Sequence, residues 1–437
     1  MHDDSTDTTD APTAALTDRA TELTTTDPYA PLTDTEPVLD TLADARIVGL
    51  GESTHGTREF HRLRHRLIRG LVERRGLRVV ALEANLPETF AVNDYVLRGE
   101  GDPVALLDAT NFWIYTTESM VALLDWLREF NEGRPIDDRV RFHGIDAQYT
   151  HGAVARLDDL LTAVAPELRG ELASDLAAAD DEGDTTDQHM SAHDPAATDR
   201  LLDRLTRAFD ARADAWRAET SEQRVTRVGR CLRVIAQVRR RRIARETDGV
   251  QASMVVRDEA MADNVAWLLR HEDADRAVLL AHDSHLCRTD NCGARTGPAP
   301  ALGSYLDERY GDDYHAVGVD FRGGSFRAIG PGLSDDSRLA TWSLDEPPRD
   351  SITRAFASTG DDLLHLPLTG QGDLRAWLAR PRFKRKLGAV YYGPDGPDDP
   401  DTDGVDAHNE RRELPTAFDS LLFVRETTPT RPAGEDG

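Results

Sequence analysis

The feature that most constrains the fold of this chain is an alternation of short apolar runs with segments of helical periodicity. From residue 46 onwards, RIVGLGE and the run LRVVALEA at residues 77–84 are apolar and rich in β-branched residues, and the intervening TREFHRLRHRLIRGLVERRG repeats apolar residues at helical spacing. Gly76 is a typical C-terminal stop for such a helix. The pattern predicts two parallel strands joined by a right-handed helical crossover.

The same alternation continues along the chain. Further apolar runs predict strands at residues 140–148, 276–282, 314–321 and 387–393, and in the segment FDSLLFVRE near the C-terminus. Helical segments such as TTESMVALLDWLREFN and VVRDEAMADNVAWLLRHE separate several of them. We therefore expect an α/β fold with a mostly parallel sheet flanked by helices on both faces.

The 437 residues include one long stretch without a convincing strand, at residues 153–272, which we interpret as a large helical insertion. The Asp- and Thr-rich residues 1–28 are expected to form an acidic, disordered arm, and residues 428–437 a disordered tail. The sequence thus predicts one α/β domain over residues 29–427 that includes the insertion.

The net charge of -27 argues against binding to nucleic acid or to an anionic membrane surface through bulk electrostatics. Lys384 and Lys386 are the only lysines. An excess of Asp and Glu with almost no lysine is typical of a protein that works in concentrated salt, so we expect a halophilic protein. A GC-rich genome also favours arginine over lysine, but that alternative explains the acidity less well.

Three features bear on the compartment. No run of about 18 apolar residues could span a membrane, and the N-terminal MHDDSTDTTDAPTAALTD lacks the apolar core of a signal peptide. Cys231, Cys287 and Cys292 are too few for a disulfide framework in a chain of this size, which indicates a reducing compartment. We expect a cytoplasmic protein.

The segment GLGESTHG after the first strand resembles a nucleotide-binding turn only in part. Gly49 and Gly51 are in place, but Thr54 occupies the position of the third glycine of a dinucleotide turn. Glu52 adds a carboxylate where it would repel a pyrophosphate, and the chain has no Walker-type Gly-Lys-Ser/Thr. These departures disfavour a nucleotide site.

Four predicted strands each lead to a side chain that can carry out acid–base chemistry. Glu52 follows the first strand, Glu83 closes the second, Asp146 ends the HGID strand, and His282 follows AVLLA. Any one of them alone is more simply a capping or packing residue. Because ligands of doubly wound sheets bind beyond the carboxyl ends of the strands, the four together favour a functional site at that edge.

Arg64 lies within the apolar stripe of the first long helix, at i+4 and i-4 from apolar residues. A guanidinium on a buried face needs an anionic partner, for which Glu52 and Glu83 are the candidates. The alternative is that Arg64 lies at the margin of the stripe and extends to water. His61 and His65, on the flank of the same helix, are interpreted as surface or boundary residues.

The motif AHDSH places His282 and His285 three residues apart just beyond a strand, where a turn can aim both imidazoles into one crevice. A mixed zinc site with Cys287 and Cys292 is disfavoured, because the chain has no second close pair of cysteines. A site of histidine and glutamate ligands is more plausible, although no compact H-E-x-x-H signature occurs.

Covalent catalysis has little support in the sequence. The chain has no G-x-S-x-G elbow, so a standard serine α/β-hydrolase is disfavoured. Ser53 and Ser284 are interpreted as hydrogen-bonding residues, and nothing in the sequence marks Cys287 as activated.

These segments together resemble the erythromycin esterase family. The resemblance is carried by GLGESTHGTREFHRLRHRLIRGLVERRGLRVVALEAN, DYVLRGEGDP, FWIYTTESMVALLDWLREFN, VRFHGIDAQ, RDEAMADNVAWLL, AHDSH and GDDYHAVGVDF, in order and with matching spacing. It extends from about residue 45 to residue 425. It implies hydrolysis of a cyclic ester, as in the opening of a macrolide lactone, without a covalent serine intermediate, and a role in antibiotic resistance.

The resemblance also implies roles for individual residues. The histidine of the G-E-x-x-H motif, the family's proposed general base, is His55. The other catalytic positions carried over from the family are Glu52, Arg64, Glu83, His282 and His285. An imidazole can take a proton from water, glutamates can orient it, and Arg64 and the His282 and His285 imidazoles can stabilise the developing oxyanion. The helix that begins after His55 adds a positive N-terminus there.

We expect Trp113, Tyr115 and Asp146 to contact the substrate, with core packing an equally good explanation for Trp113. Three functional hypotheses stay open at this point. The first is a hydrolase of a small-molecule ester or lactone that needs no cofactor. The second is a hydrolase that depends on a divalent metal such as zinc, held by Glu52, His55, Glu83, His282 and His285. The third is a non-enzymatic accessory protein, for example in polysaccharide biosynthesis, that keeps the pocket.

Overall fold

The computed structural model describes residues 13–181, 194–290, 299–330, 339–344, 346–393 and 408–434. It is a mixed α/β fold with a mostly parallel central sheet flanked by helices, as the alternation of segments predicts. The chain forms two compact units where the sequence predicts one domain. The first unit comprises Met1–Val80, Thr116–Trp126 and Asp273–Gly437, and the second comprises Ala81–Tyr115 and Leu127–Glu272.

The described residues form the following strands: β1 (Thr21–Glu22), β2 (Ile47–Leu50), β3 (Val79–Asn85), β4 (Arg141–Asp146), β5 (Ala277–Leu280), β6 (Tyr314–Ile329), β7 (Leu339–Leu344), β8 (Leu363–Pro367), β9 (Arg382–Arg385), β10 (Asn409–Arg412) and β11 (Ser420–Thr427).

They also form these helices: α1 (Thr13–Arg19), α2 (Glu36–Thr41), α3 (Arg58–Arg75), α4 (Thr89–Arg98), α5 (Pro103–Asp108), α6 (Glu118–Asn131), α7 (His151–Val164), α8 (Pro166–Ala179), α9 (Pro195–Glu219), α10 (Glu222–Asp248), α11 (Val250–His271), α12 (Asp283–Leu286), α13 (Leu302–Tyr310), α14 (Ile352–Ala357), α15 (Asp373–Leu378) and α16 (Leu414–Ala417). Short 3-10 helices occur at Ile136–Asp138 and Gly311–Asp313.

In the first unit the strands lie in the order β1-β8-β11-β6-β2-β5, and β7 pairs with β6. The pairs β11–β6, β6–β2 and β2–β5 are parallel, whereas β8, β1 and β7 are attached by antiparallel pairing. Ile47 of β2 lies opposite Ala277 of β5, and Leu50 opposite Leu280. Because these two strands run side by side in the same direction, the residues that follow them leave the sheet at the same edge.

The helix α3 forms as its sequence predicts. Its apolar stripe, which includes Phe60, Leu67 and Leu71, is fully buried, and burial of each such side chain stabilises the fold by about 1.5–3 kcal/mol. The helix ends at Gly76, whose φ of 69° lies in the left-handed region that a side chain would disfavour.

In the second unit β3 lies beside β4, and the described residues between β4 and β5 form the helices α7 to α11 and no strand. The helix α10 packs against α7, α9 and α11 around a buried apolar core that includes Trp216, Val234 and Ile235. The contact of α11 with β4 brings side chains of that helix to the carboxyl end of the strand.

The two predicted disordered ends differ from the structure. Residues 1–12 of the predicted arm lie outside the described residues, but residues 13–28 contain α1 and β1, and β1 pairs with β8. In the predicted tail, Pro429 and Pro432 form isolated bridges with Thr57 and Thr117. In the described parts of both segments, residues 13–28 and 428–434, the backbone therefore pairs with the rest of the first unit, although the composition is polar.

The strand predicted at residues 387–393 is also wrong. The strand in this region is β9, just before it, which pairs with β10 in a separate two-stranded sheet. Residues 387–393 contain only the isolated bridges of Gly388 and Val390. None of the helices within the described ranges is long and apolar enough to cross a membrane.

Candidate active site

The turn after β2 carries two of the predicted site residues in direct contact. The Nδ1 atom of His55 lies 2.8 Å from Oε1 of Glu52, and both side chains belong to the first unit. Glu52 is almost completely buried, at 1% exposure, whereas the exposure of His55 is 9%. The imidazole is thus the more exposed part of the pair.

Arg64 approaches the same carboxylate from the buried face of α3. Its Nη1 donates to Oε2 of Glu52 at 2.7 Å, its Nε donates to the carbonyl of Gly51 at 2.9 Å, and its Nη2 donates to the carbonyl of Ala281 at 2.6 Å. The position on the apolar stripe therefore predicts both the burial of Arg64 and its partner Glu52. Because its N–H groups bind the backbone after both β2 and β5, Arg64 also ties these two turns together.

The charges in this cluster determine the direction of the hydrogen bond between Glu52 and His55. Burial alone would raise the pKa of Glu52, but the charge of Arg64 and the hydrogen bond with His55 outweigh it and lower that pKa to about 2. Glu52 is therefore an ionised acceptor at neutral pH. Since an ionised carboxylate cannot donate, Nδ1 of His55 carries the hydrogen of this bond, which leaves Nε2 as the ring nitrogen that can act as a base.

His282 follows the neighbouring strand β5, and its ring centroid lies 5.2 Å from that of His55. The residue is the N-cap of α12, and its Nδ1 accepts a hydrogen bond from the backbone N–H of Ser284 at 3.1 Å. The hydroxyl of Ser284 lies 2.8 Å from the same nitrogen. A backbone N–H can only donate, so Nδ1 of His282 is unprotonated and Nε2 carries the hydrogen. The two imidazoles thus have opposite tautomers.

His285 lies in α12, one short turn after His282, and its backbone N–H donates to the carbonyl of His282 at 2.9 Å. Its side chain is buried, at 5% exposure. The AHDSH motif therefore folds into a compact turn next to the pair formed by Glu52 and His55, to which it is joined by the hydrogen bond from Asp283 N to Glu52 O at 2.9 Å.

In the second unit, Arg257 of α11 brings together two further predicted residues. Its Nη2 donates to Oε1 of Glu83 at 2.8 Å and to Oδ2 of Asp146 at 2.6 Å. Burial disfavours the charged guanidinium, but the carboxylates of Asp146 and Glu83 outweigh this and raise the pKa of Arg257. Arg257 is not predicted as a partner of these carboxylates from the sequence. It occurs in the RDEAMADNVAWLL segment, whose helical pattern gives no sign of which strand it contacts.

The residues predicted to contact the substrate also lie in the second unit. Tyr115 is buried, and its hydroxyl donates to the backbone carbonyl of Glu83 at 2.9 Å. Asp146 is fully buried between Arg257 and the side chain of Gln148, which lies 2.7 Å away. Trp113 is partly exposed. Tyr115 thus contacts the backbone of β3 and Asp146 ends β4, and their burial leaves these two side chains little surface for a ligand.

Two histidines of α3 differ from their predicted location at the surface. His61 and His65 are both buried, and Nε2 of His61 lies 3.3 Å from the backbone carbonyl of His55. Burial lowers the pKa of His61, so its neutral ring can donate that hydrogen bond. His61 therefore contacts the backbone of the turn that carries His55, a contact that its flanking position in the helical pattern does not reveal.

The cysteines have the properties of core residues. Burial raises the pKa of Cys231 to about 12 and that of Cys287 to about 11, so both are thiols at neutral pH. A thiol in this state is a poor nucleophile and a poor metal ligand. Cys292 lies outside the described residues. Within the described ranges, no three His, Cys, Asp or Glu side chains form a cluster that could hold a metal ion.

Comparisons with known proteins agree with the resemblance seen in the motifs. The erythromycin esterase type II of Escherichia coli is 24% identical over 345 residues, which cover 75% of this chain and 81% of that protein. The solved structure of a succinoglycan biosynthesis protein matches with a TM-score of 0.77 at 18% identity and covers 96% of this chain and 97% of that chain. The structure of an erythromycin esterase mutant in its open conformation matches with a TM-score of 0.68 at 20% identity and covers 95% and 98%.

The sequence model of the family described as erythromycin esterase matches residues 72–427. Glu83, His282 and His285 lie within the match, whereas Glu52 and His55 precede it, in the turn whose geometry is described above. The match extends over most of the chain, and the solved structures share its fold. On this evidence the chain belongs to the erythromycin esterase family.

Proposed function

We propose that this protein hydrolyses a carboxylic ester, with a lactone as the first substrate class to consider, by means of a water molecule that His55 activates. The observation that carries the proposal is the hydrogen bond between His55 and the ionised, buried Glu52. It leaves His55 Nε2 as a base on the accessible side of the pair. General bases of this kind contribute a factor of about 10²–10⁴ in rate.

In the proposed reaction, His55 Nε2 takes one proton from water as the water oxygen attacks the ester carbonyl carbon. The carbonyl π electrons move to oxygen and form a tetrahedral oxyanion. When the oxyanion collapses, the bond to the alkoxy oxygen breaks, and the imidazolium of His55 returns its proton to that leaving oxygen. The ionised Glu52 stabilises the imidazolium between these steps, because its carboxylate accepts from Nδ1 at 2.8 Å.

His282 supports the proposal through its tautomer. Because the backbone of Ser284 donates to its Nδ1, the ring carries its N–H at Nε2, and its centroid lies 5.2 Å from that of His55. An N–H donor is suited to a negative oxygen that develops during attack. The N-terminus of α3, which begins at Arg58, adds a partial positive charge after the same turn.

Arg64 has a different role from the one implied by the family resemblance. Its Nε, Nη1 and Nη2 all donate to Glu52 or to the backbone of the two turns, and the side chain is buried. We assign it as a positioning residue that keeps Glu52 ionised and in place. Stabilisation of the oxyanion then falls to His282 and to the N-terminus of α3.

The substrate is the finer part of the proposal. The Escherichia coli relative is named an erythromycin esterase, which favours macrolide lactones and, with them, a role in antibiotic resistance. The name of the succinoglycan biosynthesis protein adds acylated saccharides as a second group to test. The family resemblance extends the proposed catalytic set to Glu83 and His285.

The test is a turnover assay with the purified full-length chain on macrolide lactones, small lactones, aryl esters and acylated saccharides, with products identified by mass spectrometry. The proposal predicts products that have gained one water on at least one ester or lactone. It is contradicted if no member of the panel is turned over while one of them binds unchanged, which is the behaviour of an accessory protein.

A parallel arm tests the metal-dependent hypothesis. Turnover and metal content are measured before and after treatment with a chelator, and again after zinc is added back. The proposed mechanism predicts that turnover is unchanged by complete removal of metal. Loss of turnover with the chelator and its recovery with zinc would replace the proposal by the metal-dependent one.

A further inference from the structure

Lys384 is an unusual residue in this chain. Only two of its 52 basic residues are lysines, and Lys384 lies in β9 with no exposed surface. Its Nζ donates to Oδ2 of Asp283 and, at 3.1 Å, to the backbone carbonyl of Arg385. Asp283 is one of the two residues between the histidines of AHDSH, so the lysine binds within the turn that carries both histidines.

Asp283 in turn fixes the turn that carries His282. Its backbone N–H donates to the carbonyl of Glu52 at 2.9 Å, and its carboxylate accepts from the backbone N–H of Val319 in β6 at 3.0 Å. With Lys384 as the third partner, Asp283 is held by contacts to the turn after β2, to β6 and to β9. His282 is its immediate neighbour, so the direction of the imidazole depends on these contacts.

The segment that follows Lys384 contacts the other turn of the site. The backbone N–H of Leu387 donates to the carbonyl of Ser53 at 2.8 Å, and the N–H of His55 lies 3.5 Å from the carbonyl of Gly388. Residues 384–388 therefore touch both turns, one through the lysine side chain and the other through the backbone. A shift of this segment would move His55 and His282 relative to each other.

The chemistry of the position favours a lysine. Burial lowers the pKa of Lys384, but the carboxylates of Asp283, Asp320 and Glu410 outweigh this effect and raise it. The surrounding carboxylates therefore favour the charged form of the side chain. An ammonium is a compact charge, whereas the planar guanidinium that this chain uses elsewhere needs more space and a different hydrogen-bond geometry.

We propose that Lys384 is a positioning residue that orients the His282 imidazole through its buried ion pair with Asp283. The inference rests on the proposed function in so far as His282 acts on the substrate. It goes beyond that function, because it assigns a role to a residue outside all the motifs and more than 100 positions from His282 in sequence.

The first test compares Lys384→Met and Lys384→Arg with the wild-type chain on an ester that the wild type turns over. Both variants are expected to lower kcat by about 10–100-fold with KM within about threefold, since a small misplacement of a catalytic group has this effect. Arg66→Met is the matched control. Arg66 is also buried and paired with Asp34, and its other hydrogen bonds go to the carbonyls of Thr25 and Pro31, which belong to neither histidine turn. Its loss should therefore lower Tm and leave kcat within about threefold.

A double-mutant cycle with His282→Gln separates positioning from general destabilisation. If Lys384 acts through His282, Lys384→Met should change kcat by less than about threefold in the His282→Gln background. Lys384→Met combined with Asp283→Asn removes both charges, so that no unpaired buried ion remains. This variant should regain Tm but not kcat. Equal effects of Lys384→Met in both backgrounds, or wild-type kcat in the double variant, would overturn the proposal.

A measurement without substrate keeps the inference separate from the proposed function. In protein with isotope-labelled histidine, the signal of His282 is identified by its loss in His282→Gln, and its imidazole nitrogen shifts report the tautomer. Lys384→Met should shift this signal towards a mixture of tautomers, whereas Arg66→Met should not. An unchanged His282 signal in Lys384→Met refutes the inference, whether or not any ester is turned over.

Discussion

At Glu52, burial and charge act in opposite directions, and the outcome decides which chemistry the neighbouring histidine can perform. A buried carboxylate without a nearby cation would take up a proton. It could then donate that hydrogen to His55, and Nδ1 of His55 would accept the hydrogen bond and not donate it. Arg64 prevents this by holding the carboxylate ionised. The direction of the Glu52–His55 hydrogen bond therefore depends on a helix residue nine positions beyond the histidine.

The pKa of Glu52 makes a prediction about stability. It is lowered to about 2 in the folded chain, from 4.5 for an unperturbed glutamate, so the stabilisation is complete above about pH 4.5 and is lost as pH falls towards about 2. Relative to Glu52→Gln, the free energy of unfolding of the wild type should decrease by about 1–2 kcal/mol between about pH 6 and about pH 3.5. Urea denaturation of both proteins at each pH measures this difference.

Comparison with Glu52→Gln is the control in this experiment, because all other carboxylates titrate in both proteins and cancel. A difference between wild type and variant that stays constant over this range, or that grows as the pH is lowered, contradicts the assigned ionisation of Glu52.

The sequence predicts some of these residues and not others, for a physical reason. Arg64 and its partner Glu52 are only 12 positions apart, and the helical repeat places the guanidinium on the buried face. Arg257 and Lys384 are separated from their partners Glu83 and Asp283 by 174 and 101 positions. Contacts over such distances depend on the packing of whole elements. The scarcity of lysine is the one signal in the sequence that could have singled out Lys384.

At the scale of elements, the turn between β2 and α3 must pass very close to α12. A Cβ atom on Gly51 would lie 1.8 Å from Oδ1 of Asp283 and 2.7 Å from the backbone carbonyl of Val317. The absence of a side chain at Gly51 is therefore what allows the two turns of the site to approach each other. This close approach, and not the binding of a phosphate, explains why Gly51 occupies its position in GLGEST.

Gly51→Ala should accordingly reduce both stability and turnover. The added methyl group overpacks the turn, for which a loss of about 1–3 kcal/mol in the free energy of unfolding is expected. Displacement of α12 should lower kcat by about tenfold or more. Denaturant unfolding and ester turnover measure the two effects.

Gly170→Ala is the matched control for this substitution. Gly170 lies in α8 with no atom close to the position of an added Cβ, so the change should leave turnover unaffected and raise helix propensity by up to about 1 kcal/mol. If Gly51→Ala behaves in the same way as Gly170→Ala, the two turns are not packed as tightly as described.

The elements that the sequence predicts are those with a strong apolar or helical pattern. β2 and β5 are buried along their whole length, and their continuous apolar runs identify them. β9 and β10, with the sequences RFKR and NERR, carry mostly charged residues, which give no strand pattern, and they pair with each other. Lys384 therefore lies on an element that the sequence pattern does not predict, whereas Arg257 lies on a helix that it does predict.

For the whole molecule, the net charge of -27 remains the property with the widest consequences. Like charges at this density repel one another and oppose the compact state, and salt screens that repulsion. Thermal unfolding in about 0.1 M and about 2 M KCl should therefore show a higher Tm at the higher concentration. A Tm that is independent of KCl at neutral pH contradicts the prediction that the protein is adapted to salt.

The same measurement near the isoelectric point provides the control. The sequence pI is about 4.9, and the net repulsion vanishes there, so the dependence of Tm on KCl should become smaller. An equally large dependence at both pH values would indicate a general effect of salt on hydrophobic burial and not the acidic composition.

The central claim about the molecule is that His55, held by Glu52, activates water for ester hydrolysis. The most direct test is kcat/KM of His55→Ala on an ester or lactone that the wild type turns over, with thermal unfolding used to confirm that the variant is folded. We predict a decrease by a factor of about 10²–10⁴, the contribution typical of a general base. A folded His55→Ala variant with kcat/KM within about threefold of the wild type would contradict the claim.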